Sequence, residues 1–203
     1  MRRAFLLAIT LVLIAGVGAH PLRAQSSTTR GFNLGIHGTA GSLVIEDGDR
    51  MDAGGLGLIA GYGVNRTVEI FLQIDGMKLD VEDSPVQGDW NLGHADLGVR
   101  FHFANSLRRW IPYLQAALSA RAAGVDNPTV NGTPVNGNGV MVGGGLTLGG
   151  GVVFYFTQSL GGDLQFTWTT GTFTSLEVGN ITFNDLDLDA KSNRLSLGLS
   201  WWP

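Results

Sequence analysis

The sequence predicts an all-β protein, an eight-stranded antiparallel up-and-down transmembrane β-barrel. Three observations point there. Apolar residues alternate with small or polar ones from Phe32 to Trp201, the period-2 signature of strands. Charged residues make up only 15% of the chain, against roughly 25% in ordinary soluble domains, and glycine reaches 31 of 203 residues. Beyond the first 24 residues no apolar run approaches the 18 or so needed for a membrane-spanning helix.

The leader is set aside first. Arg2 and Arg3 precede the uncharged apolar run Phe5 to Ala19, and Leu22-Arg23-Ala24 offers a small residue before Gln25. This pattern reads as a secretory signal peptide over residues 1–24, with a cut after Ala19 as the alternative. Residues 25–203 then form one outer-membrane barrel domain. Of the 13 basic residues, Arg2, Arg3 and Arg23 lie in the leader, so the mature chain carries ten against 17 acidic residues, a formal charge of −7. That balance argues against nucleic acid as a partner. The absence of Cys excludes a disulfide framework and thiolate metal sites. No metal or other cofactor is expected.

Eight strands follow in order. GFNLGIHGTA puts Phe32, Leu34 and Ile36 on one face; GLGLIAGYGV aligns Leu56, Leu58, Ala60, Tyr62 and Val64. After Asn65-Arg66, TVEIFLQID aligns Val68, Ile70, Leu72 and Ile74. HADLGVRFHF aligns Ala95, Leu97, Val99, Phe101 and Phe103, and PYLQAALSARA aligns Leu114 through Ala122. VMVGGGLTLGGGVVFYF carries Val140, Val142, Leu146, Leu148, Val152, Phe154 and Phe156. DLQFTWTTG and RLSLGLSWW end the series with Leu164, Phe166 and Trp168, then Leu195, Leu197, Leu199 and Trp201.

The intervening spans, about 41–53, 65–66, 80–89, 104–111, 124–139, 157–161 and 173–193, alternate long and short. Outer-membrane barrels have this arrangement, with short periplasmic turns and long extracellular loops. In the last long span, Gly179-Asn180 between LEV and ITF is a plausible tight turn of an extra hairpin. Thirteen of the 17 acidic residues fall in the long spans: Glu46, Asp47, Asp49, Asp52, Asp80, Glu82, Asp83, Asp89, Asp126, Glu177, Asp185, Asp187 and Asp189. The carboxylate triplet Asp185, Asp187 and Asp189 lacks the Gly and later Glu of a calcium loop and reads as a solvated acidic loop.

Charges within strands obey parity. Glu69, Asp75, Asp96, Asp163, Arg100, Arg121 and Arg194 all alternate with the apolar rows. Arg or Lys at the middle of a lipid-facing surface costs about 2–4 kcal/mol, so a membrane barrel must turn such residues inward. Eight strands enclose just enough room for side chains to fill the interior. The expected interior network is therefore Glu69, Asp75, Asp96, Arg100, Arg121, Asp163 and Arg194 with His37, His94 and His102, and with Gln73 and Gln165 beside them. Gly143, Gly145, Gly149 and Gly151 also face inward and are expected to leave room for the arginines. Phe32, Tyr62, Phe101, Phe103, Phe154, Phe156 and Trp201 lie on the apolar rows near the short turns, as a periplasmic aromatic girdle would.

HADLGVRFHF with the following WIPYLQAALSA, and the terminal LSLGLSWWP, resemble the small eight-stranded outer-membrane barrels, the OmpA-transmembrane and OmpX-like group. The family usually ends in an aromatic residue, whereas here Pro203 follows Trp202. The resemblance implies location in the bacterial outer membrane, contact with its lipid, and recognition of the last strand by the barrel-insertion machinery. A monomer is expected.

Function is read from the same residues. Four interior acids against three arginines suit a satisfied ionic plug, because buried charges must be paired. The favoured role is non-enzymatic: structural, or surface interaction with an extracellular partner through the long acidic loops. The first alternative is a narrow channel for ions or small solutes lined by the histidines and inward glycines. The second is a lipid-modifying enzyme, although no G-x-S-x-G elbow is present. No catalytic, cofactor-binding or metal-binding residue is assigned.

Overall fold

A computed structural model describes residues 29–81, 86–103, 109–130, 133–134, 137–179 and 181–203. The leader assigned to residues 1–24 lies outside the described residues, as do Glu82, Asp83 and Asn180. The strands are β1 (Gly31–Ile45), β2 (Met51–Gly63), β3 (Val68–Asp80), β4 (Val86–His102), β5 (Trp110–Val130), β6 (Thr133–Pro134), β7 (Gly139–Tyr155), β8 (Leu160–Val178) and β9 (Ile181–Trp201). All but the two-residue β6 join one ring of antiparallel neighbours, which the pairings of β4 with β5 and of β1 with β9 close. First and last barrel strands meet from Leu34 opposite Trp201 to Ile45 opposite Ala190.

Alternation decides which face each residue takes. In β3, Ile70, Leu72 and Ile74 are exposed while Glu69, Phe71, Gln73 and Asp75 are buried. The exterior is consequently an apolar belt: Leu56, Leu58, Leu97, Leu114, Leu118 and Ile36 are each more than half exposed. That surface is stable in hydrocarbon, and a closed ring leaves no unpaired strand edge within it. All seven aromatics of the expected periplasmic girdle point outward, from 47% to 58% exposed.

The turns at the girdle end are built by side chains. Asn65 Oδ1 accepts the Thr67 and Val68 amides at 2.7 and 2.9 Å, and Thr157 Oγ1 accepts the Ser159 and Leu160 amides at 3.3 and 3.0 Å. Both are the local turn chemistry that Asn and Thr supply.

The opposite end differs from the expectation of long loops. β1 and β2 are joined by residues 46–50 alone, and β8 runs to Val178 before β9 starts at Ile181. Most residues assigned to loops are strand continuations. About 9–11 residues suffice to cross a membrane, so β5, β8 and β9, with 21, 19 and 21 residues, project well beyond it. Gly179, at φ 60°, follows the end of β8, so the expected extra hairpin is a continuation of the β8–β9 pair rather than an added one. The eleven described acids of the expected loop set are all exposed at this end.

Glycines mark where main chain or ion pairs come close. A Cβ at Gly57 would lie 2.2 Å from both Asp75 Oδ1 and His37 Nε2. On β7 the glycines face a different neighbour from the expected arginines: a Cβ at Gly143, Gly145, Gly149 or Gly151 would strike the β8 carbonyl of Thr172, Thr170, Phe166 or Leu164. They admit the adjacent strand's backbone, and Gly149 and Gly151 also make room for side chains, those of Thr167 and Tyr113.

Overpacking a filled interior typically costs about 1–3 kcal/mol. Gly57→Val should lower stability by about that amount in urea titrations of vesicle-reconstituted protein. Gly76→Val, where a Cβ meets nothing within 4 Å, should fold as the parent does.

Candidate functional site

The barrel interior is the only place where the described strands bring many charged groups together out of solvent. Each of the ten residues expected in the interior network is buried, none more than 8% exposed. They form two linked clusters and a remainder.

The first cluster centres on Arg194 of β9. Its Nη1 donates to Asp75 Oδ2 of β3, and its Nη2 donates to Asp96 Oδ2 of β4 at 2.6 Å. One guanidinium thus holds carboxylates from two strands on the other side of the ring. Asp75 has further partners: His37 Nε2 lies 2.6 Å from Oδ1, and Gln73 Nε2 donates to Oδ2 at 3.0 Å. Thr147 Oγ1 donates to Asp96 Oδ1 at 3.3 Å and lies 2.7 Å from Thr169 Oγ1. Charge-assisted, fork-shaped contacts of this kind fit Arg better than Lys.

The second cluster lies toward the girdle end. Arg100 of β4 donates from Nε to Gln115 Oε1 at 2.8 Å, from Nη1 to Asp163 Oδ2 at 3.2 Å and from Nη2 to Gln165 Oε1 at 3.3 Å. Its guanidinium also lies over the rings of Tyr113 and Phe71, 4.4 and 5.0 Å from their centroids. Tyr113 Oη donates to Asp163 Oδ1 at 2.7 Å. Glu69 accepts from Asn33 Nδ2 at 2.8 Å, and its second oxygen is 3.5 Å from His102 Nε2. Gln165 Nε2 donates to Gln73 Oε1 at 3.2 Å, joining the two clusters.

Arg121 and His94 stand apart. Arg121 donates from both Nη atoms to the Ala190 carbonyl at 3.2 and 3.3 Å, and no described carboxylate is within 4.0 Å of it. His94 reaches only Ser119 Oγ, at 3.5 Å.

Sequence parity also carried residues that the expected network omits. Asn33, Thr39, Tyr113, Gln115, Ser119, Thr147, Thr169 and Ser196 share the inward face and are buried. The larger omission is apolar. Ile111, Tyr113, Val153, Tyr155 and Trp202 pack together at the girdle end, with Trp202 turned inward against Tyr155. Ile59, Phe71 and Ala117 form a middle group. Leu43, Met77, Leu79, Leu92, Ala123, Phe173 and Ala190 fill the end opposite the girdle. The ionic clusters are stacked between apolar layers.

No protein-family model matches the sequence, and no curated protein matches it. Solved structures do share the fold. Neisserial surface protein A superimposes with a TM-score of 0.60, at 20% identity over 84% of this chain and 96% of its own. Ail of Yersinia pestis gives 0.54 at 13% identity, covering 85% and 100%. OprG of Pseudomonas aeruginosa gives 0.54 at 9%, covering 87% and 98%. The architecture is that of the small eight-stranded bacterial outer-membrane barrels.

Replacing Arg100 by Lys keeps the charge and loses the fork that serves Gln115, Asp163 and Gln165 together. Loss of charged-group hydrogen bonds in a buried site costs about 1.5–3 kcal/mol. Arg100→Lys should show a loss of that size in reversible unfolding. Arg50→Lys, in the exposed pair with Asp52 at 3.0 Å, should stay within about 0.5 kcal/mol of the parent.

Proposed function

We propose that the chain is a closed, non-conducting and non-enzymatic barrel of the outer membrane whose working surface is its projecting acidic end. The observation that carries this reading is the stacked interior. A hydrated ion travelling the axis meets the apolar floor of Ile111, Val153, Tyr155 and Trp202, then two guanidinium–carboxylate clusters, then the layer around Leu43, Leu92 and Phe173. Each apolar layer demands dehydration, and in each charged layer the guanidinium is already engaged by carboxylates. The void beside His37, Asp163, Gln165 and Ser196 is about 10 Å³, the space of a single water.

The alternatives are less well supported. A lumen lined by histidines for conduction would need them hydrated, and His37, His94 and His102 are all at most 7% exposed. A hydrolytic site needs a Ser, a His and an acid in one reachable group. His37 pairs with Asp75, while the Ser–His contact among the described residues, Ser119 with His94, has no acid bonded to the imidazole and is equally buried.

A closed barrel leaves the exposed ends to act. The β8–β9 hairpin continues past the last β1 pairing, at Ile45 opposite Ala190, and presents Ile181 and Phe183 together with Glu177, Asp185, Asp187 and Asp189. Ail, of the same fold, is an attachment invasion locus protein and has been seen with the heparin analogue sucrose octasulfate, a polyanion. The acidic end of this chain favours a cationic extracellular partner instead.

Planar-bilayer recording on protein whose folding is verified by a heat-dependent gel shift tests the closed interior. The reading predicts no discrete conductance steps in molar KCl. Reproducible steps that scale with salt would overturn it and restore the channel alternative.

A further inference from the structure

The extracellular layer has two features that sealing alone does not require. The first is what lies beneath it. Three interior side chains sit one step below members of the layer on the same inward face: Arg121 below Ala123, His94 below Leu92 and Ser192 below Ala190. All three are at least 97% buried, and each carries a polar atom with no hydrogen-bond partner: Arg121 Nε, His94 Nε2 and Ser192 Oγ. Arg121 is also the interior arginine without a described carboxylate, whereas Arg194 holds two and Arg100 holds one. A buried unpaired charge is costly, and unsatisfied buried donors are uncommon.

The second feature is composition. The lumen of such a barrel is ordinarily polar. Here Leu43, Met77, Leu79, Leu92 and Phe173 are buried, and Met51, Trp90, Met141 and Leu188 pack half-buried around them. All three methionines outside the leader, Met51, Met77 and Met141, belong to this layer. Methionine is flexible and polarizable and recurs on surfaces that reshape around varied apolar ligands. Arg121 touches the layer directly: it lies over the Phe173 ring at 5.3 Å and bonds the Ala190 carbonyl.

We propose that the extracellular third of the barrel is a dead-end binding site for a long-chain monocarboxylate, with the carboxylate on Arg121 and the alkyl chain among Met77, Leu92 and Phe173. Arg121 would supply the planar fork that carboxylates match, and the hydroxyl of Ser192 and the ring of His94 would complete the head-group shell. The tail would displace the half-buried side chains of Met51 and Met141, which pack against the layer. The site ends at the ionic clusters, so ligand enters and leaves from the extracellular side. Binding does not depend on the closed-lumen reading being tested by conductance, and either can fail alone.

The probe is dodecanoate labelled with ¹³C at the carboxyl, titrated into the barrel in phosphatidylcholine nanodiscs and followed by NMR, with empty nanodiscs as reference. One saturable site per barrel is expected, with a carboxyl resonance distinct from that of lipid-dissolved probe. Unlabelled dodecanoate should displace it, while dodecanol and dodecyltrimethylammonium should not. Arg121→Gln should weaken binding roughly tenfold to a hundredfold, the loss of charge-assisted bonds to the head group. Partitioning equal to that of empty nanodiscs would overturn the proposal, and so would saturable binding that dodecanol competes for equally. If Arg121→Gln does not fold, the head-group comparison on the unaltered protein decides alone.

Discussion

Everything in this barrel depends on neutralising charge where no solvent reaches. Arg194 is the clearest case, because its one guanidinium serves Asp75 from β3 and Asp96 from β4. A carboxylate left alone in that position would bear a desolvation penalty of several kcal/mol. Other features accommodate this requirement. Gly57 lacks a side chain because Asp75 and His37 occupy the space. Gln73, Thr147 and Thr169 take up further donors and acceptors of the cluster. The cost of keeping charges off the lipid face is met by building them a polar interior.

The same constraint explains why the two ends differ. At the girdle end the interior closes with aromatic and aliphatic packing around Tyr155 and Trp202, directly beneath short turns that Asn65 and Thr157 shape. At the other end the strands keep pairing beyond the membrane, and exposed acids replace the apolar belt on their outer face. Arg121 falls at the boundary between these regimes. It is too deep for solvent and has no described acid beside it.

Much of this was legible in the sequence because lipid imposes a strict rule on one face of every strand. Glu69, Asp75, Asp96 and Arg100 could be assigned inward from their parity against Ile70, Ile74, Leu97 and Val99 alone. The apolar layers were not legible by that route. Phe71, Met77 and Phe173 have inward parity too, but an apolar residue breaks no rule on either face, so alternation gives no contrast there. Extended strands were mistaken for loops for a related reason. Outside the membrane the outer face of β9 can be polar: Asp185, Asp187 and Asp189 alternate with Leu186 and Leu188 as a strand requires, but with acids on the outward face where the membrane strands carry apolar residues, so the run read as a loop. The β7 glycines were legible as inward but not in purpose, since close approach of β8 backbone leaves no mark in the sequence of β7. Which acid each arginine chooses depends on register across the ring, and local sequence does not encode that.

The measurement that bears most directly on the central claim is a cycle of unfolding free energies in phospholipid vesicles. It compares the parent with Arg194→Met, with Asp75→Leu/Asp96→Leu, and with all three substitutions together. Breaking a buried ion pair from one side typically costs about 3–5 kcal/mol, while replacing all partners by apolar groups is often neutral. The account predicts large losses for the first two proteins and recovery of most of that loss in the third. Losses that simply add would contradict it, and would mean that these charges sit in the barrel without depending on one another.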